Sequence, residues 1–161
     1  MKGESAQRHA DMLEVLKLFR TVFGSQKRHY QTVEKTSGVG GAQMWALAEI
    51  HRSPGVTVGE LARRLAIHRS TATNLVNRLE ALNLVTKRRN GKDQRNVQVE
   101  ATARGAQIFA KSPRPAMGVL QRALLDVPPA TLRSLQRHLH TVIKTMRTRD
   151  GRARGLPLAD M

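Results

Sequence analysis

Apolar residues recur at helical spacing along most of the chain, and the pattern changes only between about residues 84 and 101. Stripes within 11–36, 42–51, 105–125 and 130–147 predict helices. A break is expected near Lys111–Pro115, because Pro113 and Pro115 each lack the amide donor that a helix interior needs. Residues 1–9 are polar and are expected to fray or to be disordered. The predicted class is mainly α with a small β element.

A short helix, a turn and a second helix are predicted in the centre of the chain. Thr57 followed by Glu60 is a capping-box signature, in which the hydroxyl and the carboxylate each accept a backbone N–H of the other residue. The first helix begins there, Ala66-Ile67-His68 makes the turn, and the second helix is predicted over Arg69–Leu82. This order is typical of a helix-turn-helix.

The second of these helices has two different faces. The apolar stripe that it buries is made by Ala72, Leu75, Val76, Leu79 and Leu82. The other face carries uncharged polar and basic side chains, namely Ser70, Thr71, Thr73, Asn74, Asn77 and Arg78. Short side chains of this kind can donate and accept hydrogen bonds at the edges of DNA bases, and none of this group is acidic. Asn83 follows as a residue that tolerates the left-handed conformation of a helix end.

A basic β-hairpin is predicted after this helix. One strand runs from Leu84 to Arg89, Asn90-Gly91 is a hairpin-turn signal, and Arg95–Ala101 alternates apolar and polar residues. Basic residues cluster on this ribbon: Lys87, Arg88, Arg89, Lys92 and Arg95. A helix-turn-helix followed by such a wing indicates binding of double-stranded DNA. The alternative for the hairpin tip is a solvated charged loop.

The charge balance agrees with a polyanionic partner. The 161 residues include 28 basic and 12 acidic ones, a net charge of +16, which favours nucleic acid over an anionic membrane. Residues 57–104 hold 10 of the basic and 4 of the acidic residues, a net +6 that leaves +10 for the remainder. Charge alone therefore does not locate the DNA-binding segment.

The sequence gives little support to a metalloprotein, a membrane protein or an enzyme. There is no cysteine, which excludes disulfides, thiolate zinc sites and cysteine nucleophiles. The six histidines are scattered, and His138 and His140 project to different helix faces, so no metal or cofactor is expected. With no signal peptide and no long apolar run, the chain is expected to be a cytoplasmic protein without membrane contact, and not an enzyme.

The chain resembles the MarR family of winged-helix transcriptional regulators over about residues 10–145. The most specific motifs are Gly59-Glu60-Leu61-Ala62, the run from Ser70 to Glu80, and Asp93-Gln94-Arg95 followed by Thr102-Ala103-Arg104-Gly105. Three residues depart from the family pattern: Ala101 replaces a leucine, Asn83 a glycine, and His68 a small N-capping residue, which weakens the cap of the second helix.

The resemblance implies a homodimer on a palindromic site. The helical segments 10–36 and 105–147 would form the dimerisation region, 41–104 the winged-helix DNA-binding lobe, and 148–161 a basic flexible tail. The helix beginning at Arg69 would enter the major groove, and Arg95, oriented by Asp93, would reach the minor groove. The apolar stripes of the terminal helices fit dimerisation, although packing within one chain would use the same faces.

Many members of the family are released from DNA by small anionic aromatic ligands. The resemblance places such a crevice among Phe19, Arg20, Phe23, Met44, Trp45, Ala48 and His51. Helical stripes of Met and aromatic residues more often belong to the core, so core packing is the alternative for these residues. The function predicted is a transcriptional regulator, more often a repressor in such families. The alternatives are an architectural protein that coats DNA without reading it, and a protein-interaction module that no longer binds DNA.

Overall fold

The computed structural model describes residues 2–89, 97–146 and 150–158. The α-helices are α1 (Lys2–Ser37), α2 (Gly41–Arg52), α3 (Val58–Leu65), α4 (Arg69–Ala81), α5 (Ala103–Lys111), α6 (Val119–Asp126) and α7 (Pro129–Thr145). The strands are β1 (Val56–Thr57), β2 (Val85–Arg89) and β3 (Val97–Ala101), and a 3-10 turn spans Gly151–Gly155. The mainly α class with a small β-wing is confirmed.

Helix α1 is longer than the sequence predicted. It begins at Lys2 rather than near Asp11, so residues 2–9 are helical where fraying or disorder was expected. Polar composition was a poor guide there, because residues 4–23 contain no Gly or Pro to stop a helix from extending backwards. At its other end Ser37 Oγ donates to Val33 O at 2.7 Å, and Gly38 leaves the helix with φ 70°.

The sheet has three strands in the order β1-β3-β2, with both pairs antiparallel. Val56 pairs with Val99, and Val85 pairs with Ala101. Strand β1 was not predicted, because two residues next to a helix cap carry no periodic pattern of their own. The hairpin therefore joins the helix-turn-helix through backbone hydrogen bonds.

The core lies around α2, which packs against α3, α4 and α5. Met44, Leu47 and Ile50 are fully buried there. A close approach of the chain at Gly105 is part of this core: a Cβ at that position would lie 2.0 Å from Leu84 O. Only glycine lets α5 pack this closely against the backbone that leads into β2.

The predicted break is confirmed between α5 and α6, where residues 112–118 are not helical. Helix α6 is fixed to α1 by buried polar contacts. Gln26, 3% exposed, accepts the N–H of Leu120 at 2.9 Å and donates to Gln121 Oε1 at 3.0 Å. Gln121 in turn donates to the hydroxyl of Tyr30 at 2.9 Å. A side chain of α1 thus caps the N-terminus of α6.

The N-terminal half of α1 and most of α7 leave large apolar side chains in solvent. The exposed set comprises Met12, Leu13, Val15, Leu16, Leu18, Val22 and Phe23 on α1, and Leu132, Leu135, Val142 and Ile143 on α7, with Met146 beyond its end. Scattered exposed apolar residues are ordinary, but rows at helical spacing on two helices are not. Packing within the chain does not cover these stripes.

Candidate nucleic-acid interface

The capping box of α3 is confirmed. Thr57 Oγ1 accepts the N–H of Glu60 at 3.2 Å, and Glu60 Oε2 accepts the N–H of Thr57 at 2.9 Å. These hydrogen bonds hold the pKa of Glu60 below its ordinary 4.5; the backbone N–H of Thr57 is the largest cause and its hydroxyl the second. The carboxylate therefore stays charged at neutral pH and fixes where α3 begins.

A tight turn sets α4 against α3. Ala66 adopts the left-handed conformation with φ 53°, and Ile67 N–H donates to Ala62 O at 3.0 Å. Helix α4 then begins at Arg69, as predicted, and ends at Ala81. Asn83, at φ 56°, ends it in the left-handed conformation that the sequence predicted. The helix-turn-helix is thus built as expected.

The two faces of α4 are separated as the sequence predicted. Ala72, Leu75, Val76 and Leu79 are buried. We define the α4 polar face as Ser70, Thr71, Thr73, Asn74, Asn77 and Arg78; Thr71 is half-buried and the other five are exposed. Arg69, also predicted to contact DNA, is exposed next to this face. Thr73 Oγ1 donates to Arg69 O at 2.9 Å, so its hydroxyl proton is engaged within the helix.

Leu82 was predicted to complete the buried stripe, and this was wrong. Its side chain is 40% exposed. The helix ends one residue earlier than expected, and the chain turns away through Asn83, so position 82 no longer continues the stripe. The buried apolar stripe of α4 therefore ends at Leu79.

His68 caps α4 without a side-chain hydrogen bond, as its residue type predicted. Its backbone N–H instead donates to Gly155 O at 3.1 Å. The sequence predicted a flexible basic tail beyond residue 147, whereas residues 150–158 lie folded against the start of α4. The apolar run Leu156-Pro157-Leu158 after the basic residues was the signal in the sequence that this segment packs.

The strands of the wing lie beside α4, and Lys87 connects the two. Lys87 Nζ, on β2, donates to Asn77 Oδ1 at 2.6 Å and pairs with Glu80 Oε2 at 2.6 Å. Arg88 pairs with Glu100 on β3 at 3.3 Å. Sequence reasoning missed Glu80 as a partner, since a contact between a helix and a strand has no spacing signature. Lys87 is thus engaged with α4, whereas it was predicted as a DNA contact.

The tip of the predicted wing, from Asn90 to Asn96, lies outside the described residues. It contains the hairpin turn Asn90-Gly91 and three predicted DNA contacts: Lys92, Asp93 and Arg95. The side chain of Arg89 is not described either, although its backbone pairs with Val97 in the ladder. The strands on either side of these residues, β2 and β3, are antiparallel partners.

The residues predicted to hold an aromatic ligand are not gathered into one cavity within a single protomer. Met44 and Ala48 lie in the core, because their face of α2 packs on α4 and α5, and as ligand contacts they are a misassignment. Phe19 and Phe23 stack on α1 with ring centroids 6.1 Å apart. Arg20 on α1 is exposed.

The two remaining members of that set, Trp45 and His51, lie on α2. His51 is exposed, and its ring packs on Phe109 with centroids 4.9 Å apart. Trp45 is half-buried, and its Nε1 is buried without a hydrogen-bond acceptor among the residues that the structure describes.

An open cavity of about 860 Å³ lies between α1 and α4. We call it the α1–α4 cavity. Its walls include Phe23 and Tyr30 of α1, Leu75 and Arg78 of α4, and Leu158 of the C-terminal segment. Of the seven predicted ligand residues, Phe23 is the one that lines it.

Metal-binding clusters and membrane-spanning helices are both missing from the described part of the chain. Within residues 2–89, 97–146 and 150–158, no three His, Cys, Asp or Glu side chains come close enough together to bind a metal ion. Over the same residues, no helix combines the length and the apolar character that a membrane crossing requires.

Comparison with known proteins agrees with this geometry. Residues 37–96 match the model of the MarR family. The HTH-type transcriptional repressor MdtR of Bacillus subtilis is 32% identical over 80 residues, which cover 50% of this chain and 51% of that repressor. The chain thus matches about half the length of this curated relative.

Solved structures share the fold over a longer stretch. A MarR family transcriptional regulator from Streptomyces coelicolor, in complex with DNA, has a TM-score of 0.60 at 20% identity, covering 86% of this chain and 89% of that one. A mutant MarR from E. coli complexed with operator DNA has a TM-score of 0.56 at 20% identity, covering 83% and 96%. At these identities the likeness shows the fold.

The matched residues 37–96 contain the capping box, both helices of the helix-turn-helix and the first wing strand, and the solved structures extend the likeness to the flanking helices. Residues 37–96 of this chain are thus similar to the MarR family of winged-helix regulators, a family of transcription factors rather than of enzymes.

Proposed function

We propose that this protein is a sequence-specific transcriptional regulator that binds double-stranded DNA as a homodimer on a palindromic operator. The observation that carries the proposal is the α4 polar face: exposed hydroxyl, amide and guanidinium groups opposite a buried stripe. Glu80, the acidic residue of α4, is neutralised by Lys87. The groove-facing surface therefore carries hydrogen-bonding groups without an unpaired negative charge, as base readout requires.

The homodimer is supported by the exposed apolar stripes of α1 and α7. Covering them with the same stripes of a second copy would remove a large apolar surface from water. Two lobes related by a two-fold axis then present two copies of α4, which read half-sites spaced by about 34–36 Å or a multiple of it. A palindromic operator follows from that symmetry.

Repression is the proposed direction of control. The curated relative over 80 residues is a transcriptional repressor. A dimer that occupies an operator competes with other proteins for the same stretch of DNA, and no additional activating domain is needed for that effect. Transcription from a promoter carrying the operator should fall when the protein is added.

Binding assays with duplexes selected from a random pool test the proposal. The selected duplex should be a palindrome and should bind roughly a thousandfold or more tightly than a scrambled one. Asn74→Ala should relax the discrimination, whereas Gln107→Ala, an exposed amide on α5, should not. Equal affinity for selected and scrambled duplexes would instead favour an architectural DNA-coating protein. The net charge of +10 outside residues 57–104 is also consistent with such non-specific binding to phosphates. Absence of salt-dependent DNA binding would favour a protein-interaction module.

Release by a small anionic aromatic ligand is the remaining part of the proposal. Trp45 offers a buried indole N–H without an acceptor among the described residues, and a ligand carboxylate would satisfy it. Arg20 and His51 are the proposed basic partners. Because Trp45 is the single tryptophan, its fluorescence reports directly on the site. Benzoate should change that fluorescence saturably and weaken DNA binding; if it does neither, this part of the proposal is wrong.

A further inference from the structure

The C-terminal segment 150–158 forms a compact turn on the surface of the winged-helix lobe. Asp150 accepts the N–H of Arg152 through its side chain at 3.0 Å, which starts the 3-10 turn Gly151–Gly155. Arg152 and Arg154 are both exposed, whereas Gly155 and Pro157 are buried. The segment thus has an inner side that packs on the protein and an outer side that carries two guanidinium groups.

The inner side docks at the residue that precedes α4. Gly155 O accepts the N–H of His68 at 3.1 Å. The His68 ring lies directly on the backbone of Gly155, and a Cβ at position 155 would come within 1.8 Å of His68 Cδ2. Any larger residue at 155 would therefore displace either the His68 ring or the segment.

Two apolar residues anchor the segment beyond Gly155. Pro157 is buried, and Leu158 lines the α1–α4 cavity together with Leu75 and Arg78. The segment therefore follows α4 from its first turn towards its middle. Its position is fixed by a hydrogen bond, a ring contact and apolar burial, all independent of the charges on the two arginines.

We propose that the turn carrying Arg152 and Arg154 is an additional phosphate-binding element of the DNA interface. The inference rests on the proposed function. In a helix-turn-helix the N-terminal residues of the second helix reach the base edges, so groups beside that end lie next to the DNA backbone. Arginines bind phosphate oxygens with paired N–H donors, and exposed ones at this position face a phosphate rather than a base. The wing and this turn then flank α4 on separate chain segments.

The first test removes the charges and leaves the docking residues in place. Arg152→Ala/Arg154→Ala should weaken binding to specific and scrambled duplexes by the same factor and leave their ratio unchanged. The slope of log K against log salt should fall by about 0.9 for each phosphate that the variant no longer binds. Arg133→Ala/Arg137→Ala removes two exposed charges from α7 as the matched control and should leave the slope near that of the wild type. Equal slopes in the wild type and the Arg152/Arg154 variant would overturn the proposal.

The second test changes the docking without changing a charge. Gly155→Ala introduces the methyl group that clashes with His68, whereas Gly151→Ala adds one where nothing lies within 4 Å. Gly155→Ala should lower affinity and salt slope towards the values of the double arginine variant, and Gly151→Ala should not. If Gly155→Ala loosens the segment, as faster hydrogen exchange at residues 150–158 would show, and still binds like the wild type, the arginines do not act through the docked turn and the proposal is wrong.

Different results would contradict the proposed function and the role of the C-terminal turn. If the wild type shows no preference for any selected duplex, the proposed function fails. If the wild type discriminates between sequences but the arginine and Gly155 variants match it at every salt concentration, only the role of the C-terminal turn fails. Thermal unfolding of each variant confirms that weaker binding does not come from loss of the fold.

Discussion

Lys87 Nζ lies 2.6 Å from Asn77 Oδ1, so a cation of the wing strand β2 holds an amide on the polar face of α4. The same ammonium group pairs with Glu80 at 2.6 Å. Because Lys87 donates to Oδ1, the amide of Asn77 is held in one orientation, and its NH₂ group is left to donate to another acceptor. The wing thereby fixes a side chain that is proposed to read a base.

Lys87→Met should relax base discrimination at the position that Asn77 contacts. Met keeps the length of the side chain but removes the donor, and the amide of Asn77 is then free to turn. A well-placed bidentate contact discriminates by about 1–3 kcal/mol, so the preference at one base pair should fall by roughly tenfold. Competition binding with duplexes substituted at single base pairs measures this.

Arg88→Met is the matched control for that experiment. Arg88 pairs with Glu100 within the sheet, and its removal should weaken all duplexes alike. Identical discrimination profiles for the two variants would show that Lys87 does not orient Asn77.

Thr57→Ala should lower the free energy of unfolding by about 0.5–2 kcal/mol, the usual effect of removing an N-cap hydroxyl. The hydroxyl accepts the N–H of Glu60 and donates to its carboxylate at 2.9 Å, and alanine does neither. Urea denaturation followed by circular dichroism measures the change. Thr141→Ala, at an exposed threonine near the C-terminal end of α7, is the control and should differ little from the wild type.

Glu60 should give the protein a pH-dependent contribution to stability at acid pH. Folding lowers the pKa of this carboxyl below 4.5, so the contribution is fully present above pH 4.5 and is lost as the pH falls through the folded value. The difference in urea midpoint between the wild type and Glu60→Gln should therefore shrink from about pH 7 to about pH 3. A difference that is constant over this range would contradict the assignment.

Gly105→Ala should destabilise the lobe by about 1–3 kcal/mol, as overpacking in a filled core does. The added methyl group would lie 2.0 Å from Leu84 O and 3.3 Å from Leu47 Cδ1. Gly59→Ala is the control within a helix, since nothing lies within 4 Å of a Cβ there. It should leave stability unchanged or raise it by up to about 1 kcal/mol, because alanine favours helix. Thermal or urea unfolding of both variants measures the change in the free energy of unfolding.

Ile143→Asp should convert the proposed dimer into monomers. Ile143 is 48% exposed on α7, and a carboxylate there would have to be buried between two copies without a partner. Sedimentation equilibrium measures the shift in association constant. Leu82→Asp, at a similarly exposed leucine on the DNA-binding lobe, should remain dimeric. A wild-type chain that sediments as a monomer at all concentrations would contradict the dimer itself.

Local signals predicted the elements that depend on neighbouring residues. The capping box at Thr57, the left-handed Asn83 and the break around Pro113 each depend on neighbours within a few positions. The buried and exposed faces of α4 follow from spacing alone, and the structure confirms them up to Leu79.

Features that depend on distant residues were not predicted. Strand β1 exists because Val56 meets Val99, and Lys87 finds Asn77 and Glu80 only after the strand is placed beside α4. The return of the chain to His68 at Gly155 spans even more of the sequence. Met44 and Ala48 were assigned to the ligand site for a related reason: helical spacing cannot tell a face that lines a crevice from one that packs in the core.

The order β1-β3-β2 places the return strand of the wing in the middle of its sheet. Strand β3 is hydrogen-bonded along both edges, on one side to the other strand of the wing and on the other to the residues that start α3. A wing base held in this way cannot swing independently of the helix-turn-helix. Any tilt of α3 is therefore transmitted to strands β2 and β3, which move with it as one body.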